Sequence, residues 1–150
     1  MNQFTLTVAT ITEAGQRAMA LEAISSRPGF ARRIPAPLGP TSSDAFGCGS
    51  MIVIGLGQIA DHLAPGDRLV IASPIGFDDL GEGQDWGMSA IIAEAARRHL
   101  GEIRESGVEV ETRVVDENDL GFRRTQRLAR EGLGDPRAAL LKMEEATPSA

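Results

Sequence analysis

Cysteine occurs once in this 150-residue chain, at Cys48; tryptophan and lysine also occur once, histidine twice and tyrosine not at all. A lone thiol excludes a disulfide scaffold and any zinc site built on paired cysteines. His62 and His99 are too few and too far apart in sequence for a histidine-rich metal cage. Aromatic residues make up only 4% of the chain, so Ile, Val, Leu, Ala and Met must fill the core. No apolar run approaches the roughly 18 residues of a membrane-crossing helix. No basic stretch leads into an apolar one at the N-terminus. The sequence is therefore read as free of a signal peptide, and a cytoplasmic location is expected.

What is present suits one packed domain: 42% hydrophobic and 24% charged residues. The formal charge is −6, the opposite of the basic surface that a simple electrostatic nucleic-acid binder carries. Fourteen of the fifteen basic residues are arginine, which we read as coding bias rather than function.

From Gln3 to Thr10, Phe4, Leu6 and Val8 alternate with threonines, the period of a β-strand. Glu13-Ala14-Gly15 is a turn. Arg17 to Ile24 fits either a second strand or a short helix, and Phe30 to Pro35 a short third strand. Pro35, Pro37 and Pro40 make a stiff loop, and Thr41 to Asp44 offers helix N-caps. Arg68 to Ser73 is apolar enough for a central strand. Trp86 to Ser106 carries an apolar stripe at helical spacing and stops at Gly107. Val108 to Val115 alternates again, as a strand with one wet face. Leu120 to Gly132 reads as a last helix. The domain spans 1–133, and 134–150 is a tail with a short helix as an option over Arg137 to Glu145.

The segment between these elements has two readings. Met51 to Ala60 contains Gly55-x-Gly57-x-x-Ala60 after an apolar run, the pattern by which glycines admit a pyrophosphate to a helix N-terminus. That reading makes the chain a small dinucleotide- or nucleotide-binding enzyme. However, Gln58 to Pro65 leaves room for only about two helical turns before the next strand, less than such a crossover needs. The other reading is one helix from Ser43 to Leu63 whose glycines permit close packing.

On the second reading, Thr41-Ser42-Ser43, the long apolar helix and Leu63-Ala64-Pro65-Gly66-Asp67-Arg68-Leu69-Val70-Ile71-Ala72-Ser73 resemble the middle of a ribonuclease H domain. Ser106-Gly107-Val108-Glu109-Val110-Glu111, followed by Arg124-x-x-Arg127-Leu128-Ala129-Arg130-Glu131-Gly132, is similar to that family's last strand and last helix. The resemblance covers residues 3 to 133. It implies an α/β fold: a five-stranded mixed sheet with three antiparallel strands first, two parallel ones after, and helices on both faces.

The resemblance also implies where chemistry should reside. Ribonuclease H catalysis uses four carboxylates to hold two Mg²⁺ ions. Their places fall here on Thr10, on Phe46, Cys48 or Ile52 depending on register, on Ser73 or Pro74, and on Gln126. None is an acid, and no Asp or Glu occurs between Ala45 and Ala60. The expectation is a catalytically inactive domain that acts as a binding or structural module, without a cofactor. A protein partner is favoured over nucleic acid because of the charge.

Other residues enter as alternatives. Asp78 and Asp79, with Glu82 and Asp85, form an acidic loop; with Asp116 and Asp119 they would be the relocated metal site of a nuclease, against the plainer reading of solvated loops and a helix cap. Arg123, Arg124, Arg127 and Arg130 crowd the last helix and would be the nucleic-acid contacts, against a solvated face. Cys48 is expected to be a small buried residue, His99 a core edge, His62 a helix-end residue and Trp86 an anchor.

Overall fold

A computed structural model describes residues 1–76 and 90–133. Strand β1 (Gln3–Glu13) turns at Ala14 and Gly15 into β2 (Gln16–Ser25), and β3 (Ala31–Pro37) comes next. Helix α1 (Asp44–Ile59) ends in a 3-10 turn, Ala60–His62. Then come β4 (Arg68–Ser73), α2 (Ala90–Glu105), β5 (Glu109–Val114) and α3 (Leu120–Leu133). Arg17 to Ile24 is thus a strand. Ala14 and Gly15 both have positive φ, 52° and 77°, the geometry whose twist suits a two-residue hairpin.

The sheet order is β3-β2-β1-β4-β5. β1 pairs antiparallel with β2, and β2 with β3; β1 pairs parallel with β4, and β4 with β5. Each parallel crossover is a helix. α1 and α2 cover one face, where Phe4, Leu6, Val8, Leu21, Leu69 and Ile71 meet Met51, Ile52, Leu56, Ile59, Ala96 and Leu100. α3 covers the other, seating Leu128 and Ala129 on Ile11, Ala18 and Ala20. Small alanines on this face let the helix approach the sheet closely. A five-stranded mixed sheet with helices on both faces is the expected architecture, and it is the one observed.

Ser43 starts α1: its Oγ accepts the Phe46 N–H at 3.0 Å, satisfying an otherwise orphaned donor. The helix then runs without a break through Met51–Ala60. This does not favour the dinucleotide reading, which needs a strand at Met51–Ile54 and a glycine turn after it. The glycines serve packing instead. A Cβ on Gly55 would lie 2.4 Å from Leu6 Cδ1, and one on Gly47 would lie 2.7 Å from Thr10 Cγ2. Gly57 faces outward, and Ala60 opens the 3-10 turn. A chain reading Gly-x-Gly-x-x-Ala by sequence is here a helix with one flat side.

The start of β4 is anchored by a buried carboxylate. Asp67 is 4% exposed, and its oxygens accept the Asn2 N–H at 3.0 Å and the Ala64 N–H at 2.9 Å. Those two bonds, the Asn2 bond foremost, hold its carboxyl below the ordinary carboxylate range. The N-terminal strand is thereby fixed beside β4. At the opposite edge, Leu38 N–H donates to Arg17 O of β2, so the even-numbered amides of β3 face inward and those of 35 and 37 face out. Positions 35 and 37 are both proline, while Ala31 and Arg33 keep outward N–H groups. Among the described residues no helix is long and apolar enough to cross a membrane.

Candidate functional site

β1 and β4 run parallel only as far as Thr7 and Ala72. Beyond that point β1 continues to Glu13 paired with β2, while β4 ends at Ser73. Connections leave in opposite directions here, and such a split at the carboxyl ends of parallel strands is where α/β sheets form ligand crevices. The side-chain alternation puts Thr10 on the face of Phe4, Leu6 and Val8, and Ser73 on that of Leu69 and Ile71. That is the face covered by α1.

α1 delivers Cys48 to this place. Its thiol is fully buried beside the Ser73 and Thr10 hydroxyls. Burial pushes the thiol up to about 12; the nearby Asp44 carboxylate adds to this, while the bonds with Ser73 and Thr10 oppose it. The thiol is therefore protonated at neutral pH and inert as a nucleophile. Of the three helix registers open from sequence, Cys48 is the residue that meets Thr10 and Ser73. Ile52 packs into the core and Phe46 is half-buried.

One carboxylate does reach this cluster, and sequence reading overlooked it. Asp44 stands four residues before Cys48, on the same side of α1. Thr10 Oγ1 donates to Asp44 Oδ1 at 3.0 Å. Arg17 of β2 forms an ion pair with the same oxygen and also donates to Ser42 O. Its Nε–H donates to Thr12 Oγ1 at 3.1 Å. The Arg17 side chain is 13% exposed, so the guanidinium is a fixed part of the wall. The i, i+4 spacing from Cys48 is the signal that would have found Asp44.

Gln126 lines a second concavity, of about 460 Å³, with Pro74, Val115, Asp116, Glu117, Asn118 and Phe122. The end of β4 borders both places, Ser73 in the first and Pro74 in the second. Asp116 and Asp119 act locally here. Asp116 Oδ1 accepts the Asn118 N–H at 2.9 Å, and Asp119 Oδ1 accepts the Phe122 N–H at 2.8 Å, capping α3. Asp78, Asp79, Glu82, Asp85 and Trp86 lie outside the described residues, as does the tail from 134. Among the described residues no three metal-ligating side chains gather.

Two of the four arginines of α3 are paired with carboxylates. Arg124 Nη2–H donates to Glu22 Oε1 at 2.9 Å, and Arg130 approaches Glu13 at 3.5 Å. Arg123 and Arg127 are exposed. Glu22 is itself a finding that sequence reading missed: a carboxylate on β2, 2% exposed, facing α3 and also paired with Arg33 across the strands. The bond to Glu22 raises the Arg124 guanidinium above its usual value. A single charge in the apolar run Ala18 to Ile24 was the available clue. His62 is exposed and stands edge-on to Phe30, ring centres 4.8 Å apart; His99 is half-buried on α2.

Neither a family model nor a curated protein sequence matches this chain. Solved structures do. Ribonuclease H1 from the halophilic archaeon Halobacterium salinarum superimposes with a TM-score of 0.54 at 11% identity, over 86% of this chain and 96% of that one. The N-terminal ribonuclease H domain of a Mycobacterium tuberculosis protein gives 0.55 at 9%, over 86% and 97%. A foamy viral protease–reverse transcriptase, solved with double-stranded DNA, gives 0.55 at 11%, over 89% and 94%. The fold of this chain is ribonuclease H-like.

Proposed function

We propose that this chain is a ribonuclease H-like domain without hydrolytic activity, serving as a binding or structural module with a protein as its partner. The Thr10–Cys48–Ser73 cluster carries this reading. In the family that the sequence resembles, acids occupy the corresponding places. Here two hydroxyls and a protonated thiol gather at the same end of the sheet. A hard divalent cation wants several charged oxygens. Among the described residues the carboxylate at this cluster is Asp44, and it already faces Arg17. At Gln126 a neutral amide stands where the fourth acid would be. The −6 charge disfavours a polyanionic partner and leaves protein as the better one.

The test is incubation of the protein with an RNA/DNA hybrid in Mg²⁺ and, separately, Mn²⁺. No cleavage above the protein-free control is expected, and no gel shift of the hybrid. Cleavage that disappears in Asp44→Asn or Asp116→Asn would overturn the reading. Thermal unfolding gives a second measure. A ligand bound only to the folded state, at 100 times its dissociation constant, adds about 2.7 kcal/mol. No shift approaching that size is expected at millimolar Mg²⁺.

A further inference from the structure

On the face of the sheet opposite Cys48, we propose a phosphate-binding groove between α3 and β3, formed by Arg33, Arg124 and Arg127 around the buried Glu22. These residues line a concavity of about 230 Å³ together with Leu128 and Glu131. The ligand class is a phosphate dianion, free or as a terminal monoester.

Three observations converge on this groove. First, two of the arginines are held in place before any ligand arrives. Arg124 donates to Glu22 through Nε and Nη2, at 2.9–3.2 Å, and Arg33 through Nε at 3.2 Å. Glu22 is 2% exposed, so its carboxylate is sunk into the sheet and fixes both guanidiniums from below. Little side-chain freedom is then left to lose on binding. Second, donors remain. Among the described residues, both terminal nitrogens of Arg33, Nη1 of Arg124 and the whole Arg127 guanidinium have no partner. Arg33 and Arg124 side chains remain 58% and 45% exposed, so these donors reach solvent. Third, the charge is locally reversed. Counting Glu22 and Glu131 against the three arginines, the groove is positive within a chain of net charge −6.

A planar guanidinium fork matches tetrahedral oxyanions with paired hydrogen bonds, which is why arginine clusters select phosphate. A long phosphodiester polymer would meet the acidic remainder of the surface. A small dianion meets only the groove. The groove lies on a different face from the Thr10–Cys48–Ser73 cluster, so each reading stands or falls without the other.

The experiment is an amide chemical-shift titration of the full chain with inorganic phosphate, ionic strength held constant with NaCl, and a parallel titration with a nucleoside 5′-monophosphate. Saturable shifts confined to α3 and β3 are expected. Equal responses to the two ligands identify the bare dianion as what is recognised; a tighter response to the monophosphate identifies the ester. Arg127→Gln touches no partner needed for folding and should weaken binding about tenfold, the scale of one lost charge-assisted bond. Arg33→Gln should do the same, and Arg98→Gln on α2 should change nothing. Absence of saturable shifts, or unchanged binding in Arg127→Gln, overturns the proposal.

Discussion

Gly55 of α1 lies so close to Leu6 of β1 that a methyl group on the glycine would stand 2.4 Å from one Leu6 methyl and 2.8 Å from the other. Leu6 is fully buried in the main core, so it has no room to turn away. This contact sets the distance between α1 and the sheet. It therefore sets the depth at which Cys48 arrives between Thr10 and Ser73.

Gly55→Ala should destabilise the fold by about 1–3 kcal/mol, the range for overpacking a filled core. Gly57→Ala, two residues on, has nothing within 4 Å of its new methyl. It should stabilise by up to about 1 kcal/mol, because alanine is the better helix former. Urea denaturation of the two variants checks both signs.

The Cys48 thiol should resist Ellman's reagent in the native protein. With its value at about 12, only about one molecule in ten thousand carries a thiolate at pH 8. In guanidinium chloride the reaction should finish at the rate of an ordinary thiol. Fast native labelling would show that the cluster opens.

Asp67 should make stability fall in acid. Its carboxyl is lower in the folded chain than in the unfolded one, so at acidic pH the unfolded chain binds the extra proton. The stabilisation is complete above the unfolded value of about 3.9 and is lost as pH falls through the lower folded value. Asp67→Asn should flatten this part of the pH profile. Asp67→Ala should cost about 1–3 kcal/mol at neutral pH, since the buried acceptor of Asn2 and Ala64 is gone.

Restoring acids at the cluster tests its neutrality. The triple variant Thr10→Asp, Cys48→Glu, Ser73→Asp brings three carboxylates beside Asp44, which Arg17 faces. Metal-free stability should fall, more so as pH rises and the acids ionise. Millimolar Mg²⁺ should recover part of the loss in calorimetry, an effect absent from the unmodified chain.

Glu22→Gln should destabilise by about 1–3 kcal/mol, less than a fully buried pair, because both guanidiniums keep contact with water. A double-mutant cycle should give Glu22 stronger coupling to Arg124, which donates to both carboxylate oxygens, than to Arg33, which donates to one.

Much of the fold was legible because period and punctuation agreed. Alternation marked β1, the stripe of Ile91, Ile92, Ala95, Ala96, His99, Leu100 and Ile103 marked α2, although Ile91 proves exposed, and Arg68–Ser73 matched β4 at both ends. The segment 17–24 stayed ambiguous because alanine is at home in a helix and here serves a strand pressed under α3. The glycines of α1 left two readings open for a related reason: nothing local distinguishes a glycine that admits a ligand from one that admits a leucine. Of the site, Thr10, Cys48 and Ser73 could be named through a resemblance. Asp44 and Glu22 could not, because their meaning comes from Arg17, Arg33 and Arg124, partners on other elements.

The two prolines of β3 bear on how safely the chain folds when crowded. Antiparallel hairpins close sooner than parallel pairs, which must wait for a long loop to be ordered. During that wait β1, β2 and β3 form a small sheet, and β3 is the rim that stays open in the finished fold. A neighbouring molecule could extend that rim by strand pairing, the first step toward aggregation. At 35 and 37 the rim has no N–H to offer, because both residues are proline. Two consecutive rungs are missing from the ladder that a second chain would have to climb along β3.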